Sequence, residues 1–340
     1  MIKESLKSQN FRRAAEKILS EIKKAKKILL ALHVSPDNDS LASVLAMSLV
    51  LKKMGKKVKI ISFSQIPPRM TFFPGIEKVE LENFAKVNFA DFDLFISLDA
   101  AQERMITRSP YPEKFPQSFK IINIDHHATN TKYGHLNFVF LVSSTAEILY
   151  QLFSFWKIRI DKKMAELLFQ GIFGDTGCFQ YPLTSPETLR IAADLIEKGA
   201  SLSQAVLLHF RSYSWPSLKY WGKVLNNMQI DESGQFVWSK VSREEKEELG
   251  IESSEIEGAA SLFAPVVFGT EFGIILHEET KRLTRGSLRS RTEFDVSKIA
   301  QELGGGGHKQ AAGFSLNFPL EEAEKKVLEV ARKFLEENHR

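Results

Sequence analysis

The sequence predicts an α/β fold, with a parallel β-sheet that carries helices on both faces, followed by a smaller α+β domain. Three observations support this prediction. The first sixty residues of the 340-residue chain have the pattern helix, strand, helix, strand, which is typical of a parallel sheet. Residues 93–99 and 119–125 are continuous apolar runs, as expected of strands covered on both faces. From Asp231 onward, short strand-like segments alternate with turns.

The composition is that of a globular protein with two domains. The chain is 43% hydrophobic and 26% charged, with a net charge of +4. We expect a catalytic domain over residues 1–210, a helical linker over 211–230 and a substrate-binding domain over 231–340. The single cysteine, Cys178, excludes an intramolecular disulfide and a cysteine-based zinc site. No apolar stretch approaches the roughly 18 residues of a membrane span, and the N-terminal residues lack a signal-peptide pattern, so we expect a cytoplasmic protein with no membrane partner.

The elements of the first domain follow from hydrophobic periodicity. Residues 10–27 have the spacing of an amphipathic helix, and an apolar strand follows over 27–33. Residues 40–55 predict a second helix, and residues 57–63 a second strand. The segment 67–92 is too irregular to assign. The first four elements therefore form two strand-helix repeats of a parallel sheet.

Capping signals mark the helices of the later part of the chain. Ser144 and Glu147 have the spacing of a capping box and predict a helix start. A further helix over 161–177 runs into a glycine-flanked aspartate, and another over 185–199 begins with serine and proline and ends with glycine. In the second domain, a short helix precedes a glycine run, and a helix over 319–337 closes the chain.

Ionisable side chains stand at or just after the ends of four predicted elements, three strands and one helix. They are His33, Asp37 and Asp39; Asp99; Asp125, His126 and His127; and Asp175. The carboxyl ends of parallel strands meet at one edge of the sheet, where ligands bind. So many carboxylates and imidazoles would repel one another or stay protonated unless cations neutralised them. Oxygen and imidazole donors without thiolates suit Mn²⁺ or Mg²⁺ better than structural zinc, and their number predicts two ions that share a carboxylate.

Simpler interpretations exist for each of these residues taken singly. An aspartate after a strand is more commonly a helix N-cap, and a lone histidine more commonly packs in the core. The repetition of the same placement at four junctions favours the metal hypothesis. Asp91, Asp93 and His135 do not share this placement, and we interpret them as structural.

Five blocks of the sequence resemble the DHH phosphoesterase superfamily. They are "HVSPDNDSLAS" (33–43), "LDAA" (98–101), "IDHHATN" (124–130), "GIFGDTGCF" (171–179) and "GGGGHKQAAGF" (304–314), the last resembling the hallmark of the associated C-terminal domain. Together they span nearly the whole chain in the expected order. The blocks are most similar to those of small two-domain members, namely bacterial nanoRNases that also act on 3′-phosphoadenosine 5′-phosphate and phosphodiesterases of linear dinucleotides.

The resemblance implies a role for each residue of the constellation. One cation would be held by His33, Asp37 and Asp99. The other would be held by Asp39, Asp99 as the bridge, His126 and Asp175. Asp125 would orient a ligand imidazole, and His127 would donate to the scissile phosphate or the attacking water. One departure is Ala42, where the family usually has glycine.

The second domain carries candidate phosphate-binding residues. Arg289 and Arg291 would face the same side of a strand, and guanidinium groups bind phosphates in a bidentate way; the alternative is an exposed strand face. Four consecutive glycines suit the close approach of main-chain amides to an anion, although a ligand-free turn is the alternative. By resemblance, this segment binds the nucleotide end opposite the cleavage site. The predicted substrate-binding residues are Arg289, Arg291, Gly305, Gly306, Gly307 and His308.

The resemblance therefore implies a two-metal phosphoesterase that hydrolyses short nucleotide phosphoesters. Its expected substrates are short oligoribonucleotides (nanoRNA), linear dinucleotides such as pApA, and 3′-phosphoadenosine 5′-phosphate. If the second domain holds the far end of the substrate, the gap between the domains limits substrate length, so long duplex nucleic acid is not an expected partner. The alternatives are a cyclic-dinucleotide phosphodiesterase, an exopolyphosphatase or pyrophosphatase, and a nucleotide-binding regulator. The choice among these substrates and the existence of a homodimer stay open.

Overall fold

The computed structural model describes residues 8–67, 70–107, 119–251 and 258–338. The chain divides into two compact units, Met1–Ser212 and Tyr213–Arg340. No helix among the described residues has both the length and the apolar character that crossing a membrane requires.

The first unit is built on a parallel six-stranded sheet, as predicted. Its strands are β1 (Lys27–Ala31), β2 (Lys57–Ser62), β3 (Val79–Leu81), β4 (Leu94–Leu98), β5 (Ile121–Asp125) and β6 (Leu136–Val139). Their order in the sheet is β3-β2-β1-β4-β5-β6, and all pairs are parallel. The order reverses at β1, which lies between β2 and β4. Such a reversal opens a crevice at the carboxyl ends of the two central strands.

The described residues of this unit form six α-helices, and their buried side chains belong to one core on one face of the sheet. They are α1 (Gln9–Lys24), α2 (Asn38–Lys53), α3 (Thr145–Phe155), α4 (Lys162–Asp175), α5 (Pro186–Glu197) and α6 (Leu202–Phe210). The inward residues of the strands alternate: Ile28 and Leu30 join this core, whereas Leu29 packs on the opposite face. In the described residues, that opposite face is covered by aromatic side chains from two 3₁₀ helices, Phe84–Lys86 and Phe89–Asp91.

The helix caps largely agree with the sequence. Ser144 caps α3 by accepting a hydrogen bond from the backbone N–H of Glu147 at 3.1 Å. The second half of the predicted capping box is wrong, because the Glu147 carboxylate instead accepts hydrogen bonds from Ser143 (2.5 Å) and Thr188 (2.8 Å). Both hydroxyl donors are buried, and they satisfy a carboxylate that is itself buried. Ser185 caps α5 as predicted, in a full capping box with Thr188.

The second unit contains a mixed six-stranded sheet with helices. Its elements are α7 (Trp215–Asn226), β7 (Gln229–Ile230), β8 (Phe236–Val241), α8 (Arg243–Glu248), α9 (Ala259–Phe263), β9 (Phe272–Thr280), β10 (Leu283–Ser290), α10 (Val296–Glu302), β11 (Gly306–His308), β12 (Ala311–Leu316) and α11 (Leu320–Asn338). The strand order is β11-β12-β10-β9-β8-β7, with β8 and β9 parallel and the other pairs antiparallel. Helix α7 packs inside this unit through Tyr220, Trp221 and Val224.

Candidate functional site

The predicted acidic and imidazole residues of the first unit meet at the carboxyl ends of β1, β4 and β5. His33 lies two residues beyond β1, Asp99 directly follows β4, and Asp125 ends β5. Helix α2 begins immediately after Asp37, and Asp175 is the last residue of α4. The site therefore lies at the reversal of strand order, where the parallel sheet opens its crevice.

The first group of side chains consists of His33, Asp37 and Asp99. The Nε2 atom of His33 lies 3.4 Å from Asp37 Oδ2 and 3.8 Å from Asp99 Oδ2. Asp37 is also the N-cap of α2, because its Oδ1 accepts a hydrogen bond from the backbone N–H of Ser40 at 2.9 Å. One oxygen of Asp37 thus caps the helix while the other faces His33. The capping and ligand hypotheses for this aspartate are compatible.

The second group consists of Asp39, His126 and Asp175, whose potential ligand atoms lie within 4.8 Å of one another. His126 Nε2 is 3.2 Å from Asp175 Oδ2. The other ring nitrogen, Nδ1, donates to the carbonyl oxygen of Val142 at 3.2 Å. Such a bond fixes the tautomer, so that the lone pair on Nε2 points toward the carboxylates. This orientation fits a cation ligand.

Asp99 stands between the two groups. Its Oδ2 faces His33, whereas its Oδ1 lies 3.5 Å from His126 Nε2. Its backbone has a φ of +57°, the left-handed region, which aspartate visits more readily than most residues. The Asp99 N–H donates to the carbonyl oxygen of Ile124 at 3.0 Å. The chain therefore turns sharply after β4 and directs one carboxylate toward both groups.

The hydrogen-bond partners of Asp125 are His127 and Asn130. Asp125 Oδ1 accepts from Nδ1 of His127 at 2.7 Å, and its Oδ2 accepts from the side-chain amide of Asn130 at 2.5 Å. The sequence predicts that Asp125 orients a ligand imidazole; its imidazole partner in the structure is His127, whereas the ring of His126 is oriented by a carbonyl oxygen. The strand ends at Asp125, so the alternation of side chains does not extend to the two histidines.

The electrostatics of the site favour bound cations. Burial, followed by repulsion from Asp37, raises the pKa of Asp39 to about 7. Burial and the neighbouring carboxylates also raise the pKa of Asp99 and that of Asp175 well above the usual range. Burial lowers the pKa of His126 to about 4, so the imidazole is neutral. Oxygen donors with neutral imidazole fit hard divalent cations, whose charge would allow the carboxylates to ionise together.

Divalent cations are expected to raise the melting temperature more at about pH 8 than at about pH 5.5. A carboxyl group whose pKa is raised on folding stabilises the protein below its unfolded pKa of about 4, and this contribution is lost as the pH rises through the folded pKa. Asp39, with a pKa of about 7, therefore weakens the cation-free fold at the higher pH. Cations bound to the ionised carboxylates offset this loss. Thermal unfolding with and without Mg²⁺ measures the effect, and equal Tm shifts at the two pH values would contradict it.

The predicted arginines and His308 of the second unit share one end of its sheet. Arg289 lies on β10 and His308 on β11, and both pair with Ala311 of β12, so their side chains lie on the same face. Strand β10 ends at Ser290, one residue before Arg291. The Arg291 guanidinium lies 5.7 Å from the ring centroid of Phe268, a side chain that is 92% exposed.

The glycines of the run at 304–307 differ in the space that the structure leaves for a side chain. A Cβ at Gly305 would lie 2.2 Å from the carbonyl oxygen of Gly313, and one at Gly307 would lie 2.5 Å from the Cα of Ala312. Gly307 also has a φ of +145°. Close packing therefore explains these two glycines. A Cβ at Gly306 would meet nothing within 4 Å, so packing does not require glycine there.

Some contacts of the site were absent from the sequence-based prediction. Thr145 donates to Asp99 through its hydroxyl group at 3.1 Å, and Asn130 supports Asp125. The side-chain amide of Asn38 lies 3.1 Å from Nε2 of His209 on α6. No local spacing signals the contacts of Thr145 and Asn38, because each joins segments that only the fold brings together, whereas Asn130 lies five positions after Asp125. Cys178 is half-buried, and burial raises the pKa of its thiol to about 11, which opposes a reactive role.

The chain matches two family models and several known proteins. Residues 27–172 match the DHH family, N-terminal domain, and residues 235–337 match the DHHA1 domain. The chain is 30% identical over 324 residues to the bifunctional oligoribonuclease and PAP phosphatase NrnA of Thermus thermophilus, covering 94% of each chain. It is 27% identical to the protein of the same name from Bacillus subtilis, over 85% of this chain and 89% of the relative. An exopolyphosphatase-related protein from Bacteroides fragilis has a similar structure, with a TM-score of 0.84 at 25% identity and 96% coverage of both chains.

Proposed function

The chain belongs to the DHH family of phosphoesterases and carries a DHHA1 domain, and on this premise we propose that it hydrolyses short nucleotide phosphoesters with two divalent cations, preferably Mn²⁺. The proposed substrates are short oligoribonucleotides, linear dinucleotides such as pApA, and 3′-phosphoadenosine 5′-phosphate. The names of the curated relatives, oligoribonuclease and PAP phosphatase, support this substrate class. Cytoplasmic localisation is part of the same proposal. The homodimer stays a prediction, which sedimentation velocity would test.

The position of Asp99 is the observation that carries the proposal. One of its carboxylate oxygens faces the group with His33 and Asp37, and the other faces His126. A carboxylate that divides its oxygens between two ligand groups is suited to holding a pair of ions. Such a pair polarises the phosphoryl oxygens and supplies an activated water when bound. The residues that would hold the ions are His33, Asp37 and Asp99 for one, and Asp39, Asp99, His126 and Asp175 for the other.

His127 and Asp125 would serve the substrate rather than the cations. Asp125 accepts from Nδ1 of His127, so the proton on that nitrogen is held and the ring is oriented. The His127 side chain is 29% exposed, more than the 8% of His126, and so is the more accessible of the two rings. We assign His127 as the donor to an oxygen of the scissile phosphate, and Asp125 as the group that positions it.

The second unit would bind an anionic end of the nucleotide. Arg289 and His308 share one face of its sheet, and Gly306 leaves its main chain open to close approach. Arg291 follows one residue after the end of the strand, beside the exposed ring of Phe268. We propose that a phosphate group binds here. Its hydrogen-bond donors would be the two guanidinium groups, the imidazole and the main-chain amides of the glycine run, including those of Gly305 and Gly307.

Replacing Gly306 with alanine is expected to raise KM about 10-fold for nucleotide substrates while kcat and Tm stay close to wild type. The added methyl group would hinder the approach of an anion to the main chain, and a lost charge-assisted hydrogen bond costs about 1.5–3 kcal/mol. The matched control is Gly305→Ala, whose Cβ would collide with Gly313, so this variant should lose thermal stability. Steady-state kinetics and thermal unfolding separate the two. An unchanged KM in Gly306→Ala would argue against anion binding at this turn.

A substrate panel with Mn²⁺ tests the proposed function. It should contain 3′-phosphoadenosine 5′-phosphate, pApA, cyclic dinucleotides, RNA of increasing length and polyphosphate. We expect the highest kcat/KM on the short linear substrates. The exopolyphosphatase-related name of the Bacteroides fragilis structure makes polyphosphate the second candidate. Preference for polyphosphate, cyclic dinucleotides or long RNA would overturn the proposal, and no hydrolysis of any phosphoester would favour a regulator.

A further inference from the structure

Thr145 contacts two of the carboxylates in the candidate cation site. It is the first residue of α3 and is completely buried. Its backbone N–H donates to Oδ2 of Asp39 at 2.6 Å, and its hydroxyl group donates to Oδ1 of Asp99 at 3.1 Å. One residue of the helix start thus bonds a carboxylate of the second ligand group and the carboxylate shared by both groups.

The Thr145 hydroxyl group contacts only one of the two carboxylate oxygens of Asp99. Oδ1, which accepts from Thr145, is the oxygen that faces His126, whereas Oδ2 faces His33. A hydroxyl group has a single proton to donate, and here it is directed at Oδ1. This bond fixes the direction of the remaining lone pair on Oδ1 and makes no contact with Oδ2. The effect of Thr145 therefore falls on the side of the second ligand group.

Hydrogen bonds to neighbouring segments hold the first turn of α3 in place. The second oxygen of Asp39 accepts from the backbone N–H of Ala146 at 2.9 Å, so both oxygens of this carboxylate are bonded to the first turn of the helix. In the same turn, the buried Glu147 carboxylate accepts hydrogen bonds from Ser143 and from Thr188 of α5. The helix start is thus tied to a neighbouring helix, and Thr145 has little freedom to move away from Asp99.

We propose that Thr145 is a positioning residue that orients Asp99 for the second cation site (Asp39, Asp99, His126 and Asp175) and not for the first (His33, Asp37 and Asp99). The proposal rests on the cation pair of the proposed function. It assigns different consequences to the two sites. Loss of the hydroxyl group weakens the second cation about 10- to 100-fold, the range typical of groups that orient metal ligands. The first cation keeps its affinity.

The test is Mn²⁺ binding by the full chain, measured by titration calorimetry and by electron paramagnetic resonance. Thr145→Val keeps the shape and the backbone N–H but removes the hydroxyl group, and Thr145→Ser keeps both donors. We expect two classes of site in the wild type, with one class weakened 10- to 100-fold in the valine variant and both preserved in the serine variant. Asp175→Asn should weaken the same class as Thr145→Val, and Asp37→Asn should weaken the other class.

Three results would overturn the inference. Both classes could be unchanged in Thr145→Val, both could weaken equally, or the serine variant could fail as completely as the valine variant, which would indicate a packing role alone. Thermal unfolding of the cation-free variants checks that they fold. If the valine variant does not fold, Thr145→Ala also removes the hydroxyl group, and its Mn²⁺ affinities take the place of those of Thr145→Val. A wild type that binds no divalent cation would instead refute the cation pair itself, a failure distinct from that of Thr145.

Discussion

Replacing Asp99 with asparagine is expected to lower kcat/KM by about 10³-fold or more, on every substrate that the wild type hydrolyses. Asparagine keeps the shape of the side chain but removes the negative charge that faces both ligand groups. A loss of about 4 kcal/mol of transition-state stabilisation corresponds to this factor, and removal of a ligand shared by two cations is of that order. Kinetics at saturating Mn²⁺ provide the measurement.

The same variant separates loss of function from loss of the fold. Asp99 is a buried carboxylate whose pKa is raised by burial and by repulsion from Asp39, so its neutralisation should not lower the Tm of the cation-free protein. The rise in Tm that cations cause in the wild type should disappear. Asp91→Asn, at an exposed position on a 3₁₀ helix, is the matched control and should behave as wild type. Activity that survives in Asp99→Asn would place the chemistry elsewhere.

Replacing His127 with alanine is expected to lower kcat by about 10²- to 10⁴-fold, the range of a positioned proton donor. The imidazole is held by Asp125, which is held in turn by Asn130. Because His127 is assigned to the substrate, Mn²⁺ affinity and KM should change little. Single-turnover kinetics together with Mn²⁺ titration measure both quantities. A fall in Mn²⁺ affinity as large as in Asp99→Asn would instead make His127 a cation ligand, for which its Nδ1, 3.7 Å from Asp99 Oδ1, is close enough.

The parallel sheet could be predicted because its central strands have a strong local signal. Strands β1, β4 and β5 are buried on both faces, so each is a continuous apolar run. The edge strands β3 and β6 could not be predicted: β3 has three partly or fully exposed residues, and β6 has a single buried residue among four. An exposed edge strand imposes little pattern on its sequence. The aromatic residues of the 3₁₀ helices that cover the second sheet face also lack a helical period.

The candidate site could be predicted because residues of similar chemistry recur at equivalent strand and helix ends. His33, Asp99 and Asp175 are distant in sequence, and the topology of a parallel sheet suffices to bring them together. The same reasoning interprets Asp93 and His135 as structural, and both accept hydrogen bonds from the backbone at the opposite ends of strands.

The supporting contacts depend on tertiary packing and leave no local signal. Thr145 has the sequence features of an ordinary first residue of a helix, although its hydroxyl group reaches Asp99, 46 positions earlier in the chain. The imidazole that Asp125 contacts depends on the exact end of β5, which the sequence alone does not define. Likewise, the burial of Ser143 and Thr188 decides where the Glu147 carboxylate bonds. Such contacts form only when the folded chain brings these side chains together.

The most direct test of the cation pair is a crystal structure grown with Mn²⁺ and measured at the manganese absorption edge. We predict two anomalous peaks, one beside His33 and Asp37 and the other beside His126 and Asp175, with Asp99 bonded to both. A single peak or no peak at this end of the sheet would contradict a two-cation phosphoesterase, and two peaks that do not share Asp99 would contradict its role as the ligand common to both cations.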